Sequence, residues 1–222
     1  MKDIQGGNIM VRKILEKVPD EMLQQDLEKY RQRAIELGAT DAKIITIEMI
    51  SIDDRVRAKC IYPKCRRYGT NANCPPYAMD LELVRKTVNS FRYAIFFKIQ
   101  VPSDEVAGPE ARDKKLYVSS TIKNHEIVSK IEAEAFFDGY HLALGFAGGS
   151  CQSVFCPDSE CSALMPGQAC RHPLRARSSM EAVGMDALSM AARVGWDVYP
   201  IGASILPSEV PHGTKLGLVL IY

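Results

Sequence analysis

Apolar residues along the chain predict helices and strands that come in the same order twice. Residues 19–38 place apolar side chains at helical spacing after Asp20, a favourable N-cap, and so predict a helix. The β-branched stretch 42–52 then predicts a strand. A second helix over 80–91 and a buried strand over 93–101 follow. The first half is therefore predicted to run helix, strand, loop, helix, strand.

The second half repeats this order. The predicted elements are a long helix around 110–138, a strand over 141–149, a helix over 178–195 and a strand over 196–205. A last apolar strand, 214–222, is expected to pair as a hairpin with 202–206. This alternation favours an α/β fold, with helices packed on a mixed sheet and both intervening loops leaving strand ends on one side.

Composition narrows the class of protein. With 222 residues, 46% of them hydrophobic, the chain can bury a substantial core without covalent cross-links. A net charge of +1 with interspersed signs gives no electrostatic footprint for nucleic acid. The start has no apolar run of signal-peptide length, and no stretch of about 18 uncharged apolar residues occurs anywhere. We therefore expect a cytoplasmic protein that does not enter a membrane.

The seven cysteines change the picture most. In a reducing cytoplasm, metal binding or redox chemistry is favoured over a disulfide framework. Six of them form the pattern C-x4-C-x8-C twice, with an offset of 96 residues: Cys60, Cys65 and Cys74, then Cys156, Cys161 and Cys170. We interpret this as an internal duplication. The halves would be residues 1–103 and 104–222, either as two units or within one compact domain.

Thiolates in this number suit a metal centre. They are soft ligands that select zinc, copper(I) or iron–sulfur clusters. The second loop supplies four, Cys151, Cys156, Cys161 and Cys170, which matches a [4Fe–4S] cluster. The first loop supplies only three, Cys60, Cys65 and Cys74, so a cluster there would need a non-cysteine ligand on its fourth iron. Two such clusters are favoured, and structural zinc is the alternative because the x4 gaps also suit it.

Other polar residues near the cysteines have two interpretations each. His172 could be a ligand, although a hydrogen-bonding role is favoured; Ser179 and Glu181 are expected to cap a helix. Basic side chains could bind an anionic ligand or lower thiolate pKa values: Lys59, Lys64, Arg66, Arg67, Arg171, Arg175 and Arg177. Met180, Met185 and Met190 have the spacing of a buried helix face. The pattern singles out no catalytic residue.

Two segments carry a resemblance to a known family. They are "CIYPKCRRYGTNANCPPYAMDLE", which starts at Cys60, and "CRHPLRARSSMEAVGMDA", which starts at Cys170. Together they resemble a family of uncharacterised, cysteine-rich predicted metal-binding proteins of prokaryotes, over most of the chain from about residue 20 onward. The resemblance implies iron–sulfur or other metal binding and implies no particular reaction.

Two classes of function follow. The first is an iron–sulfur redox protein that transfers electrons or carries out chemistry at the three-cysteine site, with a redox partner protein and a small anionic ligand at the first cluster. The second is a zinc- or cluster-binding accessory protein whose loops dock a partner enzyme. The sequence names neither the substrate nor the partner.

Overall fold

The computed structural model describes residues 11–113, 115–202 and 204–222. The expectation that the chain starts without a signal peptide concerns, in part, residues 1–10, which lie outside the described residues. The helices are α1 (Asp20–Glu36), α2 (Asp54–Ile61), α3 (Leu81–Val88), α4 (Gly108–Asp113), α5 (Val118–Phe137), α6 (Cys151–Phe155) and α7 (Ala187–Arg193). The strands are β1 (Asp41–Thr46), β2 (Tyr93–Val101), β3 (Leu144–Phe146) and β4 (Gly213–Leu220). None of the described helices has the length and apolar character that a membrane crossing requires.

The four strands form one sheet in the order β1-β2-β4-β3, which with its helices confirms the α/β class. The sheet was expected to be mixed, but this expectation is wrong, because all three strand pairings are antiparallel. The central strands β2 and β4 are mainly apolar on both faces, which suits strands that are covered on both sides. Each half of the chain contributes one central and one edge strand, an arrangement compatible with duplication, which stays a prediction.

Helices cover both faces of the sheet. On one face, α1 and α5 bury side chains such as Tyr30 and Ile131 against Phe97 and Val219. On the other face, α3 and α7 pack against Phe96 and the remaining apolar side chains of β4. The three methionines with helix-face spacing, Met180, Met185 and Met190, are buried in this second core, so their predicted packing role is confirmed.

The predicted hairpin between 202–206 and the last strand is wrong. β4 lies between β2 and β3, and the described residues of 196–206 form no strand. Burial on both faces explains the difference, because the apolar β4 is better covered between two strands than at an edge. Trp196, expected to begin a strand, instead follows α7 and donates from Nε1 to Asp41 Oδ2 over 2.7 Å.

Two predicted long helices are each interrupted. The helix expected around 110–138 is divided into α4 and α5, with Lys115 between them at φ 53°. The helix expected over 178–195 becomes a 3-10 turn followed by α7, with Gly184 at φ 79°. A left-handed backbone conformation cannot continue a right-handed helix, so each interruption ends the helical hydrogen-bonding pattern.

The cysteine loops leave opposite ends of the sheet, not the same side as expected. β1 ends at Thr46 opposite Tyr93, whereas β3 begins at Leu144, at that same end, opposite Leu220. After β1 the chain turns back and runs beside the segment that precedes α7. There Asp53 N donates to the Gly184 carbonyl over 2.8 Å. This return path carries the first loop to the end of the sheet from which the second loop departs.

Candidate metal centre

The four cysteines of the second loop line a single cavity of about 220 Å³. Its wall also includes Asn71 and Asn73 from the first loop and the ring of Phe155. A water molecule occupies about 30 Å³ of liquid, so the cavity is large enough for a group of several atoms. The sequence-predicted ligand set Cys151, Cys156, Cys161 and Cys170 is therefore brought together in space.

Hydrogen bonds hold this loop in shape and reach two of its sulfurs. The backbone N–H of His172 donates to Cys170 Sγ over 3.3 Å, and Asn73 Nδ2 donates to Cys151 Sγ over 3.4 Å. Ser162 Oγ donates to the carbonyl of Ala169 over 2.7 Å and closes the x8 arm on itself. N–H donors directed at ligand sulfurs are a usual feature of metal–thiolate sites.

The first loop places its three cysteines at different depths. Cys60 lies half-buried in the last turn of α2, Cys65 is exposed, and Cys74 is buried. Cys65 N donates to the Cys60 carbonyl over 3.0 Å, which keeps these two residues in one turn. A metal held by this set would therefore face solvent at the Cys65 side.

The two loops contact each other directly. Thr70 Oγ1 donates to Gln152 Oε1 over 2.7 Å, and Arg67 Nε donates to Ser153 Oγ over 2.9 Å. The Cys74 thiol donates to Ser150 Oγ over 3.7 Å. The two loops therefore lie against each other, although they leave opposite ends of the sheet.

The thiols of each set are close enough to influence one another. Burial raises the pKa of Cys151 to about 11, with smaller upward contributions from Cys74, Cys170 and Cys161. Burial also raises the pKa of Cys60, and Cys65 and Cys74 add to this rise. Such thiols resist ionisation unless a cation replaces the proton, as a metal does on binding. Cys151 lies within electrostatic reach of both sets.

The four cysteines line the cavity without forming a compact group of metal ligands. In the part of the chain that the structure describes, no three His, Cys, Asp or Glu side chains are grouped closely enough to hold one metal ion. The donor set nevertheless fits a thiolate-bound group, because soft ligands with N–H donors to sulfur line one cavity. The arrangement leaves room for a centre larger than a single ion.

Several polar residues near the loops have structural partners. Arg175 pairs with Glu126 over 2.6 Å and Arg177 with Glu132 over 2.7 Å. Ser179 Oγ accepts from Ala182 N over 3.1 Å, as expected of a capping residue. The interpretation of these two arginines as ligand-binding groups is therefore weakened. Ser179 makes a capping-type bond to the 3-10 turn Glu181–Val183, but Met180 takes the N-cap position of that turn.

Aromatic and amide residues of the cavity were not found by sequence reasoning. Phe155 stacks on His172, which also lines the cavity, with ring centroids 5.4 Å apart, and meets the buried His125 edge-on at 5.3 Å. Gln152 accepts from Thr70 across the loop junction. No spacing pattern marks these residues, and their only sequence signal is position close to Cys151 and Cys156.

Comparison with known proteins gives one match. A family model described as predicted metal-binding protein (DUF2284) matches residues 43–221, which include all seven cysteines. No curated protein and no solved structure matches the chain. The match covers both loops and most of the sheet.

Proposed function

We propose that this chain, which belongs to the DUF2284 family of predicted metal-binding proteins, is an iron–sulfur redox protein of the cytoplasm that holds two [4Fe–4S] clusters. Cys151, Cys156, Cys161 and Cys170 would hold one cluster. Cys60, Cys65 and Cys74 would hold the other and leave one iron without a cysteine. The clusters would supply one-electron chemistry when bound.

One observation carries the proposal: four thiols surround a cavity that the asparagines of the other loop complete. A structural zinc ion needs four ligands about 2.0 to 2.3 Å from one point, whereas a cubane cluster needs ligands spread around a larger body. A cavity of about 220 Å³ lined by four cysteines has room for such a body, which favours the cluster.

The protein's own residues would have separate tasks. Asn73 and the backbone of His172 donate to ligand sulfurs and so would stabilise the negative charge that reduction adds. Phe155 covers part of the cavity wall and would exclude water from it. The direct contacts between the loops would keep the two centres near each other and support electron transfer between them.

The test is anaerobic purification followed by counting iron, sulfide and zinc per chain. We expect about eight irons and about eight sulfides, as two cubane clusters require. Cys161→Ser and Cys65→Ser are matched single-ligand variants in the two loops, and each should remove or alter one reduced-state EPR signal while leaving the other. One zinc per loop with no sulfide would contradict the proposal.

The alternative is an accessory protein whose metal-held loops dock a partner enzyme. It is favoured by two large apolar side chains beside the loops that are almost fully exposed, Tyr62 at 86% and Leu174 at 82%. Exposed apolar groups of this size are common at protein interfaces. A zinc-loaded chain without a redox signal would make this the leading function.

A further inference from the structure

Two cationic side chains meet at one tyrosine beside the first cysteine loop. Arg66 Nη2 donates to Tyr117 Oη over 3.3 Å, and Lys215 Nζ lies 5.7 Å from the centre of the Tyr117 ring. Tyr117 is the N-cap residue of α5 and forms no side-chain capping bond. The three side chains thus come from the cysteine loop, α5 and β4, which are far apart in sequence.

Neither cation has a carboxylate at ion-pair distance among the residues described. Glu105 and Glu181 act on Lys215 only from longer range, and Glu105 already accepts from Ser120 Oγ over 2.8 Å. Burial lowers the pKa of Lys215, because its half-buried ammonium is partly removed from water without a direct counter-ion. An anion placed there would offset this electrostatic cost.

The pair of cations adjoins the open side of the three-cysteine set. Arg66 follows Cys65, the one cysteine of the described chain that is exposed. Glu181 exerts its charge on both Cys60 and Lys215, so these two groups are near the same carboxylate. A ligand held by the cations would therefore lie next to the metal site that lacks a fourth cysteine.

We propose that Lys215, Arg66 and Tyr117 form a binding site for a small carboxylate-bearing ligand, which enters at the exposed Cys65 side. One carboxylate would lie between the ammonium and the guanidinium, with the tyrosine ring as the wall. Binding of a carboxylate by the two cations does not depend on the proposed function. Only the further step, in which a second donor group of the same ligand binds the iron that lacks a cysteine, rests on it.

The test is titration calorimetry of the anaerobically purified full chain with malonate. Wild type should bind malonate more tightly than phosphate and should not bind acetamide. Lys215→Met and Arg66→Gln should each weaken malonate binding about tenfold or more, since hydrogen bonds to charged groups contribute about 1.5–3 kcal/mol. Lys215→Arg, which keeps the charge but changes its shape, should weaken malonate binding less than Lys215→Met does.

Lys98→Met is the matched control. Lys98 also lies over an aromatic ring, 5.4 Å from the centre of Trp196. It sits next to Ile99, the residue opposite Lys215, so it projects from the other face of the sheet. Its loss should leave malonate binding unchanged.

Three results would overturn the site: no malonate binding by wild type, equal or tighter phosphate binding, or unchanged binding in both variants. Arg66 is exposed, so Arg66→Gln serves as the test if Lys215→Met does not fold. If the protein holds zinc and no sulfide but binding is still lost in the variants, the anion site stands and the proposed redox function fails. If clusters are present and malonate does not bind, the proposed redox function stands and the anion site fails.

Discussion

Asn73 in the first cysteine loop donates its side-chain amide to the sulfur of Cys151 in the second, over 3.4 Å. The same amide accepts from Ser178 Oγ over 3.1 Å, so its orientation is fixed from both ends. A residue of one loop thereby donates a hydrogen bond to a cysteine sulfur of the other. The two loops are thus joined by a hydrogen bond at a candidate ligand.

The first prediction concerns this amide. Asn73→Ala removes both hydrogen bonds, and we expect the free energy of unfolding to fall by about 1–2 kcal/mol, measured by urea denaturation. We also expect the reduction potential of the second-loop centre to fall, because an N–H donor to sulfur stabilises the reduced, more negative state. A potentiometric titration followed by EPR measures this.

Asn89→Ala is the control for that experiment. Asn89 is the exposed C-cap residue of α3 and lies outside both loops. Its replacement should leave the potential unchanged. The prediction is contradicted if Asn73→Ala shifts the potential of the first-loop centre and leaves that of the second-loop centre unchanged. The amide would then act on the first-loop centre.

The second prediction is a pH dependence from His125. The residue is fully buried, neither ring nitrogen makes a hydrogen bond of normal geometry, and burial lowers its pKa to about 4. The unfolded chain protonates this imidazole below its pKa of about 6.5, whereas the folded chain keeps it neutral down to about pH 4. The free energy of unfolding therefore falls as the pH falls between these values.

Between pH 7.5 and pH 5 this effect amounts to about 2 kcal/mol. Urea midpoints at the two pH values measure it. His125→Leu keeps an apolar side chain against Phe155 and should lose most of that difference, whereas His141→Leu at an exposed position should retain it. An equal pH effect in wild type and His125→Leu would rule out this histidine as the cause.

Much of the fold was predictable because its signals are local. α1 forms where it was predicted, although Pro19 takes the N-cap position expected for Asp20, and the apolar runs around Phe97 and Leu218 form the two central strands. The break at Gly184 could have been anticipated from the glycine alone, since its left-handed conformation ends the helix. The position of β4 could not, because burial on both faces depends on packing between distant segments.

The candidate site likewise has a part that the sequence predicts and a part that only the fold reveals. The two cysteine sets are visible in the sequence as a repeated spacing, and the cavity brings the second set together. Asn73 and Gln152 carry no such signal, because each acquires its role only through contact with a loop about 80 residues away. Lys215 likewise meets Arg66 only through Tyr117. Non-local contacts of this kind arise from the fold.

The third prediction separates stability from the metal centre. Asp26 is buried and accepts from Tyr140 Oη over 2.7 Å and from the guanidinium of Arg12. Asp26→Asn keeps the size but removes the charge, and we expect a loss of about 2 kcal/mol. Thermal denaturation should show the loss, whereas the metal content should not change, since none of these contacts involves either loop.

Glu36→Gln is the matched control, because Glu36 pairs with Arg33 over 3.1 Å on the surface. An exposed pair of this kind contributes little, so its loss should be much smaller than that of Asp26→Asn. Equal effects of the two substitutions would mean that the buried position of Asp26 adds nothing. A drop in bound metal in Asp26→Asn would mean that this network supports the loops.

The last prediction assigns Cys151, the one cysteine outside the repeated spacing. It shares the cavity with Cys156, Cys161 and Cys170, but the charge of Cys74 also acts on it. We expect Cys151→Ala to convert the second site into a three-cysteine site, so that its EPR signal is lost or becomes sensitive to malonate while the first signal is unchanged. Cys74→Ala is the counterpart and should abolish the signal that responds to malonate in wild type. If Cys151→Ala instead removes the first signal, Cys151 caps the first cluster, because that site would then have four thiolates and no open iron.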